Sequence, residues 1–419
     1  MFRSLLHNLK TKSTLRVLRH RNYALIKLVG WFAGAGFWFY RIGIQVLAWD
    51  LTHSGTWLGA IALAEALPLI FLLPVAETLA DRRDRLVMGR LIQLSIIMVT
   101  ALLAVVTLNG WINIYLLFGV SLLHGAAGAF WMPVRLAMVP NLVPREDLAA
   151  VIAVHATLFN LARFLGPAVA APIFAIWGTG VVFAASSVAY LPYLFVLFII
   201  ELVNPDKRAE KGRNMVERVK EGISYAYGHD ALRYLLLMIV FSAVLLRAYM
   251  ELLPGISETV FSYDPKEGVA ILVSAIDFGA IGGSIVMGNI TRTETLLRVY
   301  FACLTSNILL LDLFAATNSF WFGVACVVAM SVAAVGMDIT SQVIVQVTVK
   351  GELRGRIMSL WGLFTRSGSA WGAVLLGWMS GFMGLQWPIL AAAVTALVAV
   401  LVISKRHVIR DALGKDPAG

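Results

Sequence analysis

The sequence predicts an all-α integral membrane protein in which twelve transmembrane helices form two pseudo-symmetric bundles of six. Three features lead to this prediction: the composition, the number of apolar segments and the position of the longest polar stretch. The 419 residues are 59% hydrophobic and only 14% charged, and the mean hydropathy is +0.82. A soluble chain of this length would form about two or three domains with charged surfaces, so this composition indicates the membrane class.

Twelve apolar segments are long enough to cross a bilayer, because each crossing needs about 20 residues. The first half of the chain contains spans 1 to 6: 22–49, 57–77, 87–108, 112–138, 149–177 and 180–201. The second half contains spans 7 to 12: 232–256, 268–290, 296–316, 319–348, 355–383 and 386–404. Several spans exceed this length, and tilt in the bilayer accommodates the excess.

The longest polar stretch, 204–230, divides the spans into two sets of six. Hydrophobic residues recur within it at helical spacing, which predicts a cytoplasmic linker with an amphipathic helix on the membrane surface. The other predicted regions are a basic cytoplasmic N-terminal segment, an N-terminal bundle, a C-terminal bundle and a cytoplasmic tail: 1–21, 22–203, 231–404 and 405–419.

The two halves are related as internal repeats. Arg247 follows Arg41 by 206 residues, and the stretch 349–354 follows the similar stretch 143–148 by the same offset. Repeats of this size are common in membrane proteins that bind a ligand near the middle of the bilayer. The offset therefore indicates two related bundles.

Basic residues concentrate on one side of the predicted spans. The loops and termini on the side of the N-terminus hold nearly all of them, whereas the other side has one basic loop residue, Lys266. Because basic loops stay in the cytoplasm, the sequence predicts a multi-pass membrane protein with both termini in the cytoplasm. The predicted location is the plasma membrane, in particular the inner membrane of a bacterium. The formal charge of +10 then indicates contact with anionic lipid and not with nucleic acid.

The loop between spans 2 and 3 carries the most specific motif. Leu79-Ala80-Asp81-Arg82-x-x-Arg85 resembles the loop 2–3 signature of the major facilitator superfamily, Gly-x-Leu-Ala-Asp-Arg-x-Gly-Arg. Glu77 and Asp84 stand where the signature has its two glycines, the first of which normally allows two helices to close tightly. The resemblance implies a fold of two six-helix bundles that work by alternating access.

Span 4 descends to the same side of the membrane as this loop, so Arg135 is expected close to Asp81. The hypothesis is a cytoplasmic gate in which a charge pair holds the bundles together in the outward-open state. The predicted gate residues are Asp81, Arg82, Arg85 and Arg135. The alternative is that these are solvated loop charges.

Further segments are similar to one branch of the superfamily, the enterobactin-exporter and macrolide-efflux-like group. These segments are 51–59, 130–135, 165–167 and 354–359. Together with the loop motif they extend the resemblance over nearly the whole chain. The resemblance implies a transporter of small organic molecules.

Seven ionisable side chains lie well inside the apolar spans. They are Arg41, Glu65, Arg163, Arg247, Asp277, Asp338 and Arg366. Each costs roughly 2.5–3.5 kcal/mol at the middle of the bilayer, so seven facing lipid would cost about 20 kcal/mol, more than the net stability of a typical fold. We therefore predict that they line a substrate-binding cavity. Spans 3, 6 and 12 carry no such residue, and the family fold places those spans outside the cavity.

The depths of these charges predict pairs. Arg41 and Glu65 both lie roughly 12 Å from the outer ends of spans 1 and 2, and Arg247 and Asp277 repeat this arrangement on spans 7 and 8. Asp338, at mid-depth on span 10, is a candidate partner for Arg163 and for Arg366. The functional hypothesis is that the arginines attract an anionic or amphiphilic substrate, while protons exchange on the carboxylates Glu65, Asp277 and Asp338. The alternative is that the pairs only pin neighbouring helices.

The sequence has no Gly-x-x-x-x-Gly-Lys-Ser/Thr phosphate loop, and it has no pattern of metal ligands or of a nucleophile with its base. We therefore expect no enzyme activity, no cofactor and no metal site. The expected function is secondary active transport by a monomer, with proton-coupled export of a small drug- or siderophore-like organic molecule. The alternatives are uptake or lipid flipping by the same fold, and a non-transporting scaffold or sensor, which Glu77 keeps open.

Overall fold

The computed structural model describes residues 14–144, 147–201, 223–288, 295–349 and 351–405. Within these ranges every regular element is a helix, as an all-α protein requires. Most of the predicted linker 204–230, including its amphipathic helix, and nearly all of the predicted tail 405–419 lie outside the described residues. From the linker, residues 223–228 are described as helical.

The first half begins with a 3-10 turn, Thr14–Arg19. The helices that follow are α1 (Arg21–Thr52), α2 (Gly55–Arg82), α3 (Arg85–Leu108) and α4 (Ile114–Met138). The next helical segment, Leu148–Ile199, is broken at Gly178, and its arms are α5 (148–177) and α6 (179–199). Gly178 has φ 77° and ψ 178°, which a residue with a Cβ rarely adopts, so the break separates predicted spans 5 and 6.

The first helix of the second half is irregular. α7 runs from Asp230–Phe241 through a π-helical turn, Ser242–Leu246, and a 3-10 turn, Ala248–Glu251, to Leu253–Thr259. The helices that follow are α8 (Pro265–Gly288), α9 (Leu296–Ala316), α10 (Phe320–Thr348), α11 (Gly351–Met383) and α12 (Gln386–Lys405). The described residues thus provide one helical segment for each predicted span.

Eight of the described helices are long and apolar enough to cross a membrane. They are α2, α3, α4, α6, α7, α8, α9 and α10, and α12 adds a shorter apolar stretch, Gln386–Leu401. On α3, Leu91, Met98 and Leu102 are exposed while Ile92 and Ile96 are buried. A helix that is apolar all round suits a membrane span with lipid on one side and protein on the other.

By their contacts the residues form two compact units. The first comprises Met1–Ile44 and Leu67–Gly212, and the second comprises Gln45–Ala66 and Arg213–Gly419. Most of each half of the chain therefore falls within one unit. The exception is 45–66, which contains the end of α1, the turn after it and the start of α2, and which belongs to the second unit. We call this segment the hairpin tip.

The first unit has a core to which the N-terminal 3-10 turn contributes. Val17 from this turn is fully buried in a cluster with Met138 and Leu197. Tyr23 is buried in the same cluster, and its hydroxyl donates a hydrogen bond to the carbonyl of Val151 at 3.0 Å. The end of the predicted basic segment is therefore packed on this unit.

Asp84, which stands at the second glycine position of the loop signature, caps α3. Its side chain accepts hydrogen bonds from the backbone N–H groups of Leu86 at 2.8 Å and Val87 at 2.9 Å. These groups have no partner within the helix. Where the signature has a flexible glycine, this chain therefore has an aspartate that fixes the start of α3.

We expect Asp84→Ala to destabilise the protein by about 1 kcal/mol, because the cap is lost. Asp84→Gly should cost only a few tenths of that amount, and Asp84→Asn should retain most of the stability. The measurement is thermal unfolding of the purified variants in the same detergent and at the same scan rate. Equal unfolding temperatures for the alanine variant and the wild type would contradict the capping role.

Candidate functional site

The irregular part of α7 carries an ion pair. Arg247 lies between the π-helical turn and the 3-10 turn, and its Nη2 donates to Oδ1 of Asp338 on α10 at 2.5 Å. The two side chains are 21% and 35% exposed, so the pair is partly accessible rather than sealed in a core. π-Helical turns often occur at functional sites, which makes this pair the centre of the candidate site.

A hydrogen-bonded chain leads from Asp338 to α11. Ser341, about one turn further along α10, donates from Oγ to the carbonyl of Asp338 at 3.1 Å. Its Oγ in turn accepts a hydrogen bond from Nε1 of Trp361 at 3.1 Å. Tyr249 and Tyr300 are buried, and both lie within electrostatic range of Arg247. The site thus combines a cation, a carboxylate and aromatic side chains, which suits an organic molecule with polar groups.

The structure gives Arg247 a partner, Asp338, that the sequence did not predict. Asp277 was the expected partner of Arg247, while Arg163 and Arg366 were the candidate partners of Asp338. Depths counted at a uniform rise per residue assume a regular α-helix. The π-helical and 3-10 turns change both the rise and the direction of side chains around Arg247. Asp277 is instead almost completely buried on α8, with 2% of its surface exposed.

The other predicted cavity residues occupy different environments. Arg41 on α1 and Glu65 on α2 are partly buried, and Arg366 on α11 is exposed. Arg163 lies on α5, and its side chain is outside the described part of the structure. Cavity contact by these residues stays a prediction.

The predicted gate falls partly outside the described side chains. This applies to Asp81 and Arg82, which end α2, so their pairing with Arg135 stays a prediction. Arg85 begins α3 and is partly buried. Arg135 is also partly buried, and its Nη2 lies 3.2 Å from Sδ of Met132.

A second polar cluster, which the sequence analysis did not predict, joins the hairpin tip to the rest of the second unit. Nε2 of Gln45 donates to Oε2 of Glu251 at 2.8 Å, and Oγ of Ser369 on α11 donates to Oε1 of the same carboxylate at 3.3 Å. Gln45 and Glu251 are buried, at 7% and 5% exposure. Glu251 lies towards the end of predicted span 7, 232–256, and is not among the seven charges predicted to line a cavity. The signal that identifies it is the repeat offset, because Gln45 and Glu251 are 206 residues apart.

Further contacts fix the hairpin tip towards its turn. Nε1 of Trp49 donates to Oε2 of Glu258, and Nδ1 of His53 lies 3.4 Å from the same oxygen. Lys266 Nζ at the start of α8 lies 3.6 Å from Oδ2 of Asp50. The tip therefore carries an amide, an indole, an imidazole and a carboxylate, all directed at charged groups of the second unit.

The first unit holds another buried cation. Lys27 on α1 is 7% exposed, and its Nζ lies 5.4 Å from the ring centre of Tyr23. The sequence missed it because it lies near the start of predicted span 1. Deeper in the unit, Tyr40 stacks on His124 with ring centres 3.7 Å apart.

Comparison with known proteins agrees with this architecture. The model of a protein family described as transmembrane secretion effector matches residues 12–416. The chain belongs to the transmembrane secretion effector family. Its relatives and structural neighbours are major facilitator transporters, so it is a transporter and not an enzyme. The predicted superfamily and fold class are thereby confirmed.

Two curated relatives are similar over most of their length. The staphyloferrin A transporter of Staphylococcus aureus is 24% identical over 344 residues, which cover 78% of this chain and 81% of the relative. Macrolide efflux protein A of Streptococcus pyogenes is 22% identical over 359 residues, which cover 84% of this chain and 88% of the relative. The first name describes transport of staphyloferrin A, and the second describes efflux of macrolides.

Solved structures show the fold. A bacterial homologue of the human lysosomal transporter Spinster, in an inward-facing and unoccupied conformation, aligns with TM-score 0.74 at 13% identity and covers 97% of this chain and 100% of its own. A bacterial homologue of the iron transporter ferroportin aligns with TM-score 0.68 at 15% identity, covering 94% and 100%. At this level of identity the likeness concerns the fold alone.

Proposed function

We propose that this transporter exports a small amphiphilic organic molecule, drug- or siderophore-like, and that proton entry drives the export by alternating access. The observation that carries the proposal is the Arg247–Asp338 pair at the irregular part of α7. Charged residues within membrane-length helices are costly and often mark substrate or ion pathways, and the partial exposure of this pair leaves it open to exchange. The names of the two curated relatives support a small organic substrate.

The direction of coupling follows from what replaces each partner of the pair. An anionic group that takes the place of Asp338 on Arg247 leaves a carboxylate that gains a proton, so substrate and proton bind together. A cationic or hydrogen-bond-donating group that takes the place of Arg247 on Asp338 excludes the proton. In export driven by proton entry, the substrate and the proton must exclude each other on Asp338, so the second case is the one required. A ligand shifts the protonation equilibrium only if it binds the protonated and deprotonated forms with different affinity.

The proposed substrate therefore presents a donor or cationic group to Asp338 and an acceptor or anionic group to Arg247. Trp361, whose indole is held by Ser341, supports a flat or cyclic scaffold beside these groups. The remaining predicted contacts keep their proposed roles. Arg41, Arg163 and Arg366 would hold substrate, Glu65 and Asp277 would carry protons, and Asp81, Arg82, Arg85 and Arg135 would close the cytoplasmic gate.

The proposed setting is the plasma membrane of a bacterium, with the protein acting as a monomer and both termini in the cytoplasm. The one-sided distribution of basic residues supports this orientation. Uptake of an anionic molecule together with a proton is the second candidate, because the same ion pair permits it when the substrate binds Arg247 alone.

Everted membrane vesicles test the two directions. With an acidic lumen, we expect vesicles that contain the protein to accumulate zwitterionic fluorescent compounds, and a protonophore to abolish the accumulation. Asp338→Asn vesicles should accumulate much less than wild-type vesicles under the same conditions. Accumulation only in right-side-out vesicles placed in acidic medium, and only of anionic compounds, would overturn export in favour of uptake.

A further inference from the structure

Glu251 occupies a position that links three parts of the second unit. It is the last residue of the 3-10 turn in α7, and 5% of its surface is exposed. One carboxylate oxygen accepts from Gln45 in the hairpin tip at 2.8 Å. The other accepts from Ser369 on α11 at 3.3 Å. A single carboxylate therefore ties the hairpin tip to α7 and to α11.

The contact joins a residue to its own repeat counterpart. Gln45 and Glu251 are separated by 206 residues, the offset that also relates Arg41 to Arg247. One turn further on, a Cβ added to Gly255 would lie 2.6 Å from the indole ring of Trp49, and these two positions share the offset. The two repeats differ at the pair in contact. The first repeat has an amide, Gln45, and the second has a carboxylate that can bind a proton, Glu251.

We propose that Glu251 is a proton-binding residue of the transport cycle, and that its deprotonated carboxylate holds the hairpin tip on α7 and α11. The proposal rests on the proton-driven transport proposed above. Hydrogen bonds to an ionised carboxylate are roughly twice as strong as those to a neutral group. A protonated carboxyl also turns one acceptor oxygen into a donor, so either the Gln45 amide must turn over or the Ser369 hydroxyl must change from donor to acceptor. Proton binding therefore loosens the hairpin tip.

The elements that contact one another in the second unit carry other charged groups, and their response to pH must be separated from that of Glu251. They include Asp50, His53, Glu65, Arg247, Glu258, Lys266, Asp277, Asp338 and Arg366. Protonated His53 attracts Glu258, whose Oε2 lies 3.4 Å away, so acid strengthens that contact. This effect has the opposite sign to the one proposed for Glu251, and His53→Asn removes it.

The hairpin tip offers a reporter of its own position. Oγ1 of Thr56 in the tip and Oγ of Ser380 on α11 both donate to the carbonyl of Gly377, at 3.1 Å and 2.7 Å. Two groups that share one acceptor are close to each other, so these positions suit a pair of cysteines that cross-link when the tip is seated. Cross-linking of Thr56→Cys/Ser380→Cys thus reports seating. The single-cysteine variants control for the native Cys303 and Cys326.

The experiment measures cross-linking of the purified full-length protein without substrate, from about pH 8 to about pH 5. Disulfide formation itself slows in acid because the thiolate is the reacting species, so each yield is divided by that of Glu251→Gln at the same pH. With His53→Asn in the background, we expect this ratio to be about fivefold at the alkaline end of the range and to approach one at the acidic end, because an amide resembles the protonated carboxyl. The same pH dependence in Glu251→Gln as in its parent would overturn the proposal.

The repeat symmetry supplies a second test. Gln45→Glu alone places two carboxylates together, so cross-linking should be weak at about pH 8 and should increase as one of them gains a proton. The exchange Gln45→Glu/Glu251→Gln restores one carboxylate and one amide, and it should recover both the seating and its original pH dependence. An exchanged protein that behaves like the worse of the two single variants would reject the proposal.

These outcomes are distinct from failure of the proposed function. Proton-driven export by wild-type vesicles combined with pH-independent cross-linking would reject Glu251 and leave export intact. Cross-linking that responds to pH in a protein that moves none of the tested compounds would reject the transport proposal instead.

Discussion

Asp338→Asn is expected to reduce proton-driven accumulation in everted vesicles by about 5- to 150-fold, the usual range for the coupling of two ligands. The asparagine still accepts a hydrogen bond from Arg247, whose Nη2 lies 2.5 Å from the native carboxylate, so the helices should stay together. It does not gain or lose a proton, and it gives a cationic group no charge to bind. The substitution therefore removes the exchange of substrate against protons while retaining the fold.

A matched control is Asp312→Asn. Asp312 is another partly buried aspartate of the second unit, on α9, and the proposed exchange does not involve it. We expect this variant to transport at nearly the wild-type rate, with both proteins compared at equal amounts in the membrane. Proton-driven accumulation that persists in Asp338→Asn but disappears in Asp312→Asn would contradict the role assigned to the α7–α10 pair.

Arg247→Lys separates charge from geometry at the other partner. Lysine keeps the positive charge but loses the planar fork that donates two parallel hydrogen bonds. We expect a higher KM with a smaller change in the maximal rate, since the substrate acceptor group is held less firmly. Transport kinetics in the same vesicles measure this, and an unchanged KM would show that Arg247 does not contact the substrate.

The membrane architecture could be predicted from composition and apolar length, because the bilayer restricts what can cross it. Predicted span 3, 87–108, lies within α3, Arg85–Leu108. The structure extends α2 to Arg82, beyond the predicted end at 77, because helices continue into water where apolar counting stops. The break between spans 5 and 6 could also be located, since the apolar run is interrupted close to Gly178.

The pairing within the site could not be predicted, because it depends on packing between distant helices. The segment that contains Arg247 has no proline until Pro254, and nothing local indicates a π-helical turn followed by a 3-10 turn. Glu251 was missed for a related reason, since nothing local in the sequence indicates that its carboxylate contacts Gln45 and Ser369. The repeat offset was visible in the sequence, but it shows that two positions are equivalent and not that they touch.

The irregular part of α7 is set by a close approach of α11, and Gly372 makes this approach possible. A Cβ at this position would overlap the carbonyl oxygen of Val244 and would lie 2.8 Å from Cβ of Ala248. Val244 belongs to the π-helical turn, and Ala248 begins the 3-10 turn. A backbone carbonyl cannot rotate away as the end of a flexible side chain can.

We therefore expect Gly372→Val to destabilise the protein by about 3 kcal/mol or more, the upper end of the cost of overpacking. Gly362→Val is the matched control on the same helix, since a Cβ there meets no described atom within 4 Å. The measurement is the folded fraction by size-exclusion chromatography in detergent, together with the thermal unfolding temperature. Equal loss in the two variants would mean that helix propensity, and not the contact with α7, explains the effect.

Gly372→Ala links this packing to the hairpin tip. Ser369 lies about one turn before Gly372 on α11 and donates to Glu251, so a side chain that moves α11 away from α7 also lengthens that hydrogen bond. In protein that remains folded, we expect less cross-linking between positions 56 and 380 at about pH 8 than in its parent. Undiminished cross-linking would show that the hairpin tip stays seated without the close approach of the two helices, and that Gln45 alone is sufficient to hold Glu251.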